Sequence, residues 1–304
     1  RPCPNCLIYY KNYPDMAGST LKLLRIPFSF FLMPVYFFAA SQVRHLEPGK
    51  AILVFIILHL LIYPASNGYN SYMDRDEESI GLLKHPPPPT RELFRVSLWL
   101  DLAGFILSAL VNRWFLICIL ANILASRAYS YRGIRLKKYP VTGFLTVIIF
   151  QGAVTFFMVF MGIGGAGTPV PWLAVASSSL LFGCFYPLTQ IYQHSQDFRD
   201  GVISISYKLG YRGTFLFTLL MFLAGDILIL AYFRSQGRAL QFLWLQLWLL
   251  PVLAYFMSWF LAVLRDPTRA DYPHTMRMNL VAAICTNAAF LFILIQNHTS
   301  YSAR

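Results

Sequence analysis

The sequence predicts an all-α, polytopic membrane protein of about nine transmembrane helices, and three observations carry that prediction. Its 304 residues are 57% hydrophobic and only 12% charged, about half the ~25% charge of soluble domains. The apolar residues gather into runs of roughly the ~20 residues that span ~30 Å of hydrocarbon. Two short acidic stretches, beginning at Asp74 and Asp197, sit at the ends of two of those runs.

In chain order the runs cover roughly 24–43, 50–68, 93–112, 113–131, 141–164, 171–193, 210–234, 241–265 and 278–297. They define a transmembrane core over 24–297 within a single domain, 1–304, preceded by a polar or mixed segment, 1–20. No cleavable signal peptide is expected, because no small-residue cleavage site follows the first apolar run. The acidic event after the second run recurs after the sixth. Two related four-helix halves with a ninth helix appended would produce that, as internal repeats do in other membrane folds.

Basic residues set the expected orientation. With nine spans, the N-terminus and the even-numbered connections share one side, and 19 of the 25 Lys and Arg fall there. The positive-inside bias makes that side cytoplasmic, so both acidic stretches are expected in the cytoplasm, at the bacterial inner membrane. The net charge of +12 then reads as a topology signal with some attraction to anionic lipid. No pattern for nucleic acid accompanies it. The expected cytoplasmic connections are long and charged (NSYMDRDEESIGLLKHPPPPTREL, RGIRLKKYP, HSQDFRDGVISISYKLG), and Pro86 to Pro89 stiffen the first of them.

The cysteines contribute little. Cys118, Cys184 and Cys285 lie inside apolar runs, as small core residues do. Cys3 and Cys6 form a CxxC spacing compatible with redox chemistry or half a zinc site, and no second pair accompanies it.

Only 13 acidic residues exist, and six lie in the two stretches. At ~100° per residue, Asn70, Asp74 and Glu78 would share one helix face, joined by Glu77, while Asp76 would point away. Gln193, Asp197 and Asp200 would repeat the geometry, with Tyr186 two turns earlier. Closely spaced carboxylates repel unless a cation lies between them. Mg²⁺ takes oxygen ligands and is usually held by one or two carboxylates plus substrate phosphates. Paired acidic ladders ringed by Lys84, Arg132, Arg135, Lys137, Lys138 and Lys208 therefore suit a diphosphate bound through Mg²⁺. The plainer reading is solvated loop charge. It explains one cluster readily, and two clusters with matched spacing less well.

At these residues the chain resembles the UbiA superfamily of intramembrane prenyltransferases. Asn70, Asp74 and Glu78 match its NxxxDxxxD motif after the second helix, with Glu for the last Asp. YSYRGIRLKKYP at 129–140 resembles a segment after the fourth helix. YQHSQDFRDG at 192–201 resembles the second motif, DxxxD, and LLRIP around Arg25 is also similar. Gln193 stands where the first Asp of that second motif is usual, which removes one negative charge.

The resemblance implies nine helices and a Mg²⁺-dependent transfer of a prenyl group from an isoprenoid diphosphate to a lipophilic acceptor, aromatic or not, within the bilayer. Asn70, Asp74, Glu78, Gln193 and Asp197 would hold Mg²⁺, with Asp74 and Asp197 essential to the reaction. Arg25, Lys84, Arg135 and Lys137 would bind diphosphate. Tyr129 and Tyr186 could face the allylic cation, or simply anchor at the interface. Asp101 and Asp226 lie within apolar runs, where carboxyls are costly and often functional. Asp226 could orient the acceptor, or only bond a neighbouring helix. His59 and His194 read as packed side chains. An alternative is a terpene cyclase, in which the cation is trapped by its own double bonds. A transporter or lipid-binding protein is a second alternative, and broken spans at matched positions of the two halves would favour a transporter.

Overall fold

The computed structural model describes residues 16–165 and 167–302. The Cys3–Cys6 motif and most of the 1–20 segment lie outside them. The described residues form α1 (Ala17–Ser41), α2 (Pro48–Asp74), α3 (Arg91–Ser108) and α4 (Arg113–Ser130). There follow α5 (Pro140–Gly165), α6 (Trp172–Arg199), α7 (Ile205–Ser235), α8 (Ala239–Arg265) and α9 (Tyr272–Thr299). Seven of these helical segments are long and apolar enough to cross a membrane. The other two expected spans, α3 and α4, are helices of 18 residues, made less apolar by residues such as Glu92, Arg95, Asp101 and Arg127. Large side chains such as Trp99, Leu110 and Trp172 point outward, each about two-thirds exposed. A lipid environment tolerates such a surface and water does not.

Helix starts follow local chemistry. Thr90, Asn112 and Ser204 cap α3, α4 and α7 through side-chain oxygens. Pro48 and Pro140 open α2 and α5 at the first turn, where the missing N–H costs nothing.

Between helices, buried polar pairs fix the packing. Ser66 meets Ser126 at 2.7 Å, and Asn287 and Asn297 on α9 donate to Phe30 O and Ser41 O on α1. Thr218 on α7 donates to Cys184 O on α6 at 3.0 Å. Asp101 pairs with Arg127 between α3 and α4, and the Arg127 guanidinium lies 3.9 Å from the Tyr69 ring centre. Asp101 thus clasps two helices. His59 is fully buried among Tyr36, Phe55 and Tyr63. His194 bonds Ser206 and stacks on Tyr211.

Several helices are irregular. α1 breaks at Arg25 into a 3-10 turn, Ile26–Phe31. α5 widens to π geometry over Ile148–Val154, a feature that recurs at functional sites. Ser179 of α6 closes that widened turn, donating to Ile148 O and accepting from Ala153 N. α6 contains Pro187, ends its α-helical part at Thr189 and resumes as the short helix His194–Arg199 after a 3-10 turn. These breaks face one interior chamber.

Candidate active site

Two cavities share a wall. The larger, about 310 Å³, runs into the bundle and is mostly apolar. The smaller, about 130 Å³, is polar and is lined by Asn70, Asp74, Asp76, Lys137, Gln193 and Asp197, among others. Arg25, Asn70, Tyr129 and Tyr186 border both. The shape is that of a molecule with a charged head and a hydrocarbon tail.

The ends of α2 and α6 do meet, as the paired acidic stretches require. Their contributions differ from the expected ladders. α2 stops at Asp74 because Arg75 adopts a left-handed conformation, φ 56°, so Glu78 is not on its face. Glu78 instead pairs with Arg199 near the surface and lines neither cavity. The same turn brings Asp76 inward, where Gln196 donates to its Oδ1 at 2.6 Å. Asp76, expected to point away, thus takes the position expected of Glu78. On α6, Gln193 and Asp197 line the polar cavity together. Asp200 lies one turn beyond and holds Arg135 and Arg132.

Basic residues surround the carboxylates. Lys137 pairs with Asp74 Oδ2, and Arg135 Nη2 lies 3.6 Å from Asp74 Oδ1, an oxygen that is buried and accepts no hydrogen bond. Arg132 donates to Met73 O at 2.7 Å, covering the carbonyl end of α2 where positive charge is favoured. Arg25 lines both cavities. Lys84 is exposed and lines neither, because its loop turns away after the Ile80–Leu83 bridge. Arg25, Arg75 and Arg135 all have φ between 45° and 56°. Non-glycine residues in that region are strained by about 1–2 kcal/mol each, and such strain clusters at functional sites.

Burial, then the negative charge of Asp74, push the Asp76 carboxyl up to about 6, against the opposing pull of Lys137 and Arg25. A cation in this cavity would relieve that repulsion. Among the described residues no three His, Cys, Asp or Glu side chains form a ready metal cage. Carboxylates from two helix ends plus the amides of Asn70 and Gln193 fit an ion whose shell is completed by substrate oxygens and water. Ser130 donates to Asn70 Oδ1 at 2.7 Å, which orients that amide.

At the neck, the hydroxyls of Tyr129 and Tyr186 are hydrogen-bonded to each other, and Gln190 donates to Tyr186 at 2.9 Å. Asp226 lies on the chamber wall, its Oδ1 accepting from Gln246 at 2.7 Å. Sequence reasoning missed Gln190, Tyr192 and Asn279 as cavity residues, and placed Asp76 on the wrong side. No Gly or Pro marks the end of α2, so nothing in the local sequence signals that turn.

The UbiA prenyltransferase family matches residues 30–295 of this sequence. The chain belongs to that family. Its fold is similar to a UbiA homologue from Archaeoglobus fulgidus solved with DMAPP and Mg²⁺, with a TM-score of 0.68 and 16% identity over 91% of this chain and 99% of that one. The same figures hold for that homologue with GPP and Mg²⁺. A UbiA homologue from Aeropyrum pernix K1 is similar at a TM-score of 0.66 and 22% identity, covering 88% of this chain and 98% of that one. No curated protein sequence matches. The UbiA assignment agrees with the two-cavity architecture: acidic ends of α2 and α6 over an apolar chamber.

Proposed function

We propose that this UbiA-family protein transfers a prenyl group from an isoprenoid diphosphate to a lipophilic acceptor inside the membrane, with Mg²⁺ as cofactor. The observation that carries the reading is the junction at Tyr129 and Tyr186, where a carboxylate-lined polar cavity opens into an apolar chamber. The A. fulgidus homologue binds DMAPP and GPP with Mg²⁺, ligands of matching head-and-tail chemistry.

In this reading Asp74, Asp76 and Asp197, with the amides of Asn70 and Gln193, hold Mg²⁺. The ion supplies charge neutralisation for the diphosphate and its leaving oxygen. Glu78 and Lys84, lying outside the cavity, take no part. Lys137 and Arg25 donate N–H groups to diphosphate oxygens, and Arg135 keeps the Asp74 and Asp200 carboxylates in place. As the C1–O bond breaks, its electron pair leaves with the diphosphate. The rings of Tyr129 and Tyr186 at the neck face the allylic cation, and the apolar chamber keeps water from it. The acceptor's nucleophilic atom then bonds to C1, and the hydrogen it carried leaves as a proton. The excess of basic residues on the site's side of the bundle supports a cytoplasmic position for this chemistry.

The test incubates purified protein with geranyl diphosphate or a longer homologue, with and without Mg²⁺ and a membrane lipid extract, following diphosphate and products. Mg²⁺-dependent, extract-dependent formation of a prenylated lipid is expected. A cyclic hydrocarbon formed without extract would mark a cyclase instead, and absence of divalent-dependent diphosphate binding would refute both.

A further inference from the structure

The apolar chamber is closed at its far end, and α9 marks its depth. Asn279, like Tyr129 and Tyr186, borders both cavities, whereas Phe290 on the same unbroken helix borders the chamber alone. The rise between Asn279 and Phe290 is ~16 Å at ~1.5 Å per residue. At the level of Phe290 three rings stand in a row across α9, α1 and α5. Phe290 stacks on Phe38 with ring centres 4.5 Å apart, and Phe38 meets Phe156 edge-on at 5.1 Å. All three rings are buried.

Beyond the rings, buried polar side chains close the bundle. Tyr232 on α7 donates to Gln42 Oε1 at the end of α1, at 2.9 Å. Asn297 on α9 donates to Ser41 O, and Gln241 on α8 donates to Asn297 Oδ1, both at 2.6 Å. None of these five residues borders the chamber, while Phe38, Ile229 and Leu245, about one turn nearer the neck on α1, α7 and α8, all do. Asn287 also donates from α9 to Phe30 O at 3.1 Å, so α1 and α9 are tied on both sides of the Phe38–Phe290 pair. A hydrocarbon chain entering from the neck therefore ends against an aromatic layer backed by a hydrogen-bonded one.

An extended isoprene unit advances four carbon–carbon bonds, or ~5 Å. With C1 at the tyrosine neck, ~16 Å holds three units. Each unit that fits inside buries apolar surface and tightens binding. A fourth has to fold back or displace a packed ring, and close-packed interiors resist both. We infer that the chamber measures its prenyl donor, that a chain of three isoprene units fits it best, and that Phe38 and Phe290 set the limit. This rests on the prenyltransferase reading above.

The test uses the S-thiolodiphosphates of geranyl, farnesyl, geranylgeranyl and solanesyl chains (two, three, four and nine units), which ionise slowly. Binding of each to Mg²⁺-loaded protein in detergent is measured by calorimetry, with partition into protein-free micelles measured separately. In wild type the farnesyl analogue is expected to bind at least tenfold more tightly than each of the others. Phe290→Ala should raise geranylgeranyl affinity at least tenfold relative to farnesyl, and the milder Phe290→Leu about threefold; a Phe290 that only supported packing would weaken all four chains alike. Wild-type affinity that peaks at another length or stays level from farnesyl to solanesyl, or an unchanged ratio in a folded variant, would overturn the inference. If neither variant folds, the wild-type series still decides. Failure of wild type to bind any of the four with Mg²⁺ would instead refute the prenyltransferase reading, and the chain-length inference with it.

Discussion

Asp76 and Glu78 exchange the roles that helical periodicity assigns them, and a pair of isosteric substitutions separates the two arrangements. Asp76 lines the polar cavity with Asp74 and Asp197, and its Oδ1 accepts from Gln196, a bond that Asn at this position would keep. Asp76→Asn therefore removes charge with little change of packing. Loss of one charge-assisted ligand is worth about 1.5–3 kcal/mol, or roughly a tenfold to hundredfold weaker Mg²⁺ affinity. Glu78 and Arg199 are 47% and 65% exposed, and exposed pairs contribute about 0–1 kcal/mol. Glu78→Gln should accordingly change Mg²⁺ affinity by no more than about fivefold. Titrating Mg²⁺ by calorimetry, with geranyl S-thiolodiphosphate present as a slowly ionising analogue, measures both. An effect of Glu78→Gln as large as that of Asp76→Asn, or no effect of the latter, would refute the placement of Asp76 in the metal site.

Other expectations follow from the same cavity. Asp197→Ala should abolish Mg²⁺-dependent diphosphate release with a near-wild-type melting temperature. Asp74→Ala should abolish release and also lower that temperature, because it strips Lys137 and Arg135 of a buried partner, a loss of ~3–5 kcal/mol for a buried pair. Gln193→Asp should lower the Mg²⁺ concentration needed for half-maximal turnover, and Gln193→Leu should raise it; superimposable metal curves would remove Gln193 from the site. For pH, the Asp76 carboxyl titrates near 6 in the folded metal-free protein against 3.8 as its ordinary value. The folded state then holds more protons between those values, so this group's contribution to stability is present below about 3.8 and lost as pH rises through about 6. Mg²⁺ competes with that proton, so metal affinity measured by calorimetry should fall as pH drops below 6, with proton release on binding; the shift should be smaller in Asp76→Asn, where the other carboxylates alone carry it.

The class of fold was legible in the sequence because bilayer thickness imposes a length on every apolar run, and a backbone without water must close its hydrogen bonds within helices. Nine runs, two acidic punctuations and a lopsided distribution of Arg and Lys followed from composition and spacing. Asn70, Asp74, Gln193 and Asp197 stood out by their spacing at two helix ends, whereas the roles of Arg25, Lys137, Tyr129 and Tyr186 came from the resemblance to the UbiA family; all eight line the two cavities. Lys84 was misplaced because its loop turns away after the Ile80–Leu83 bridge, and Glu78 for a reason of helix geometry. A 3.6-residue period describes a helix only while it continues, and no Gly or Pro announces the left-handed turn at Arg75 that ends α2 at Asp74. Asp226 stood out in the sequence as an acid in an apolar run, but sequence could not say which wall it faced. Its place on the chamber, level with Gln151 and Ser178, depends on how closely Gly225 lets α7 approach α6 and Gly152 lets α5 approach α6. Contacts between residues tens to hundreds of positions apart are set by the packing of whole helices, and only the tertiary structure decides them.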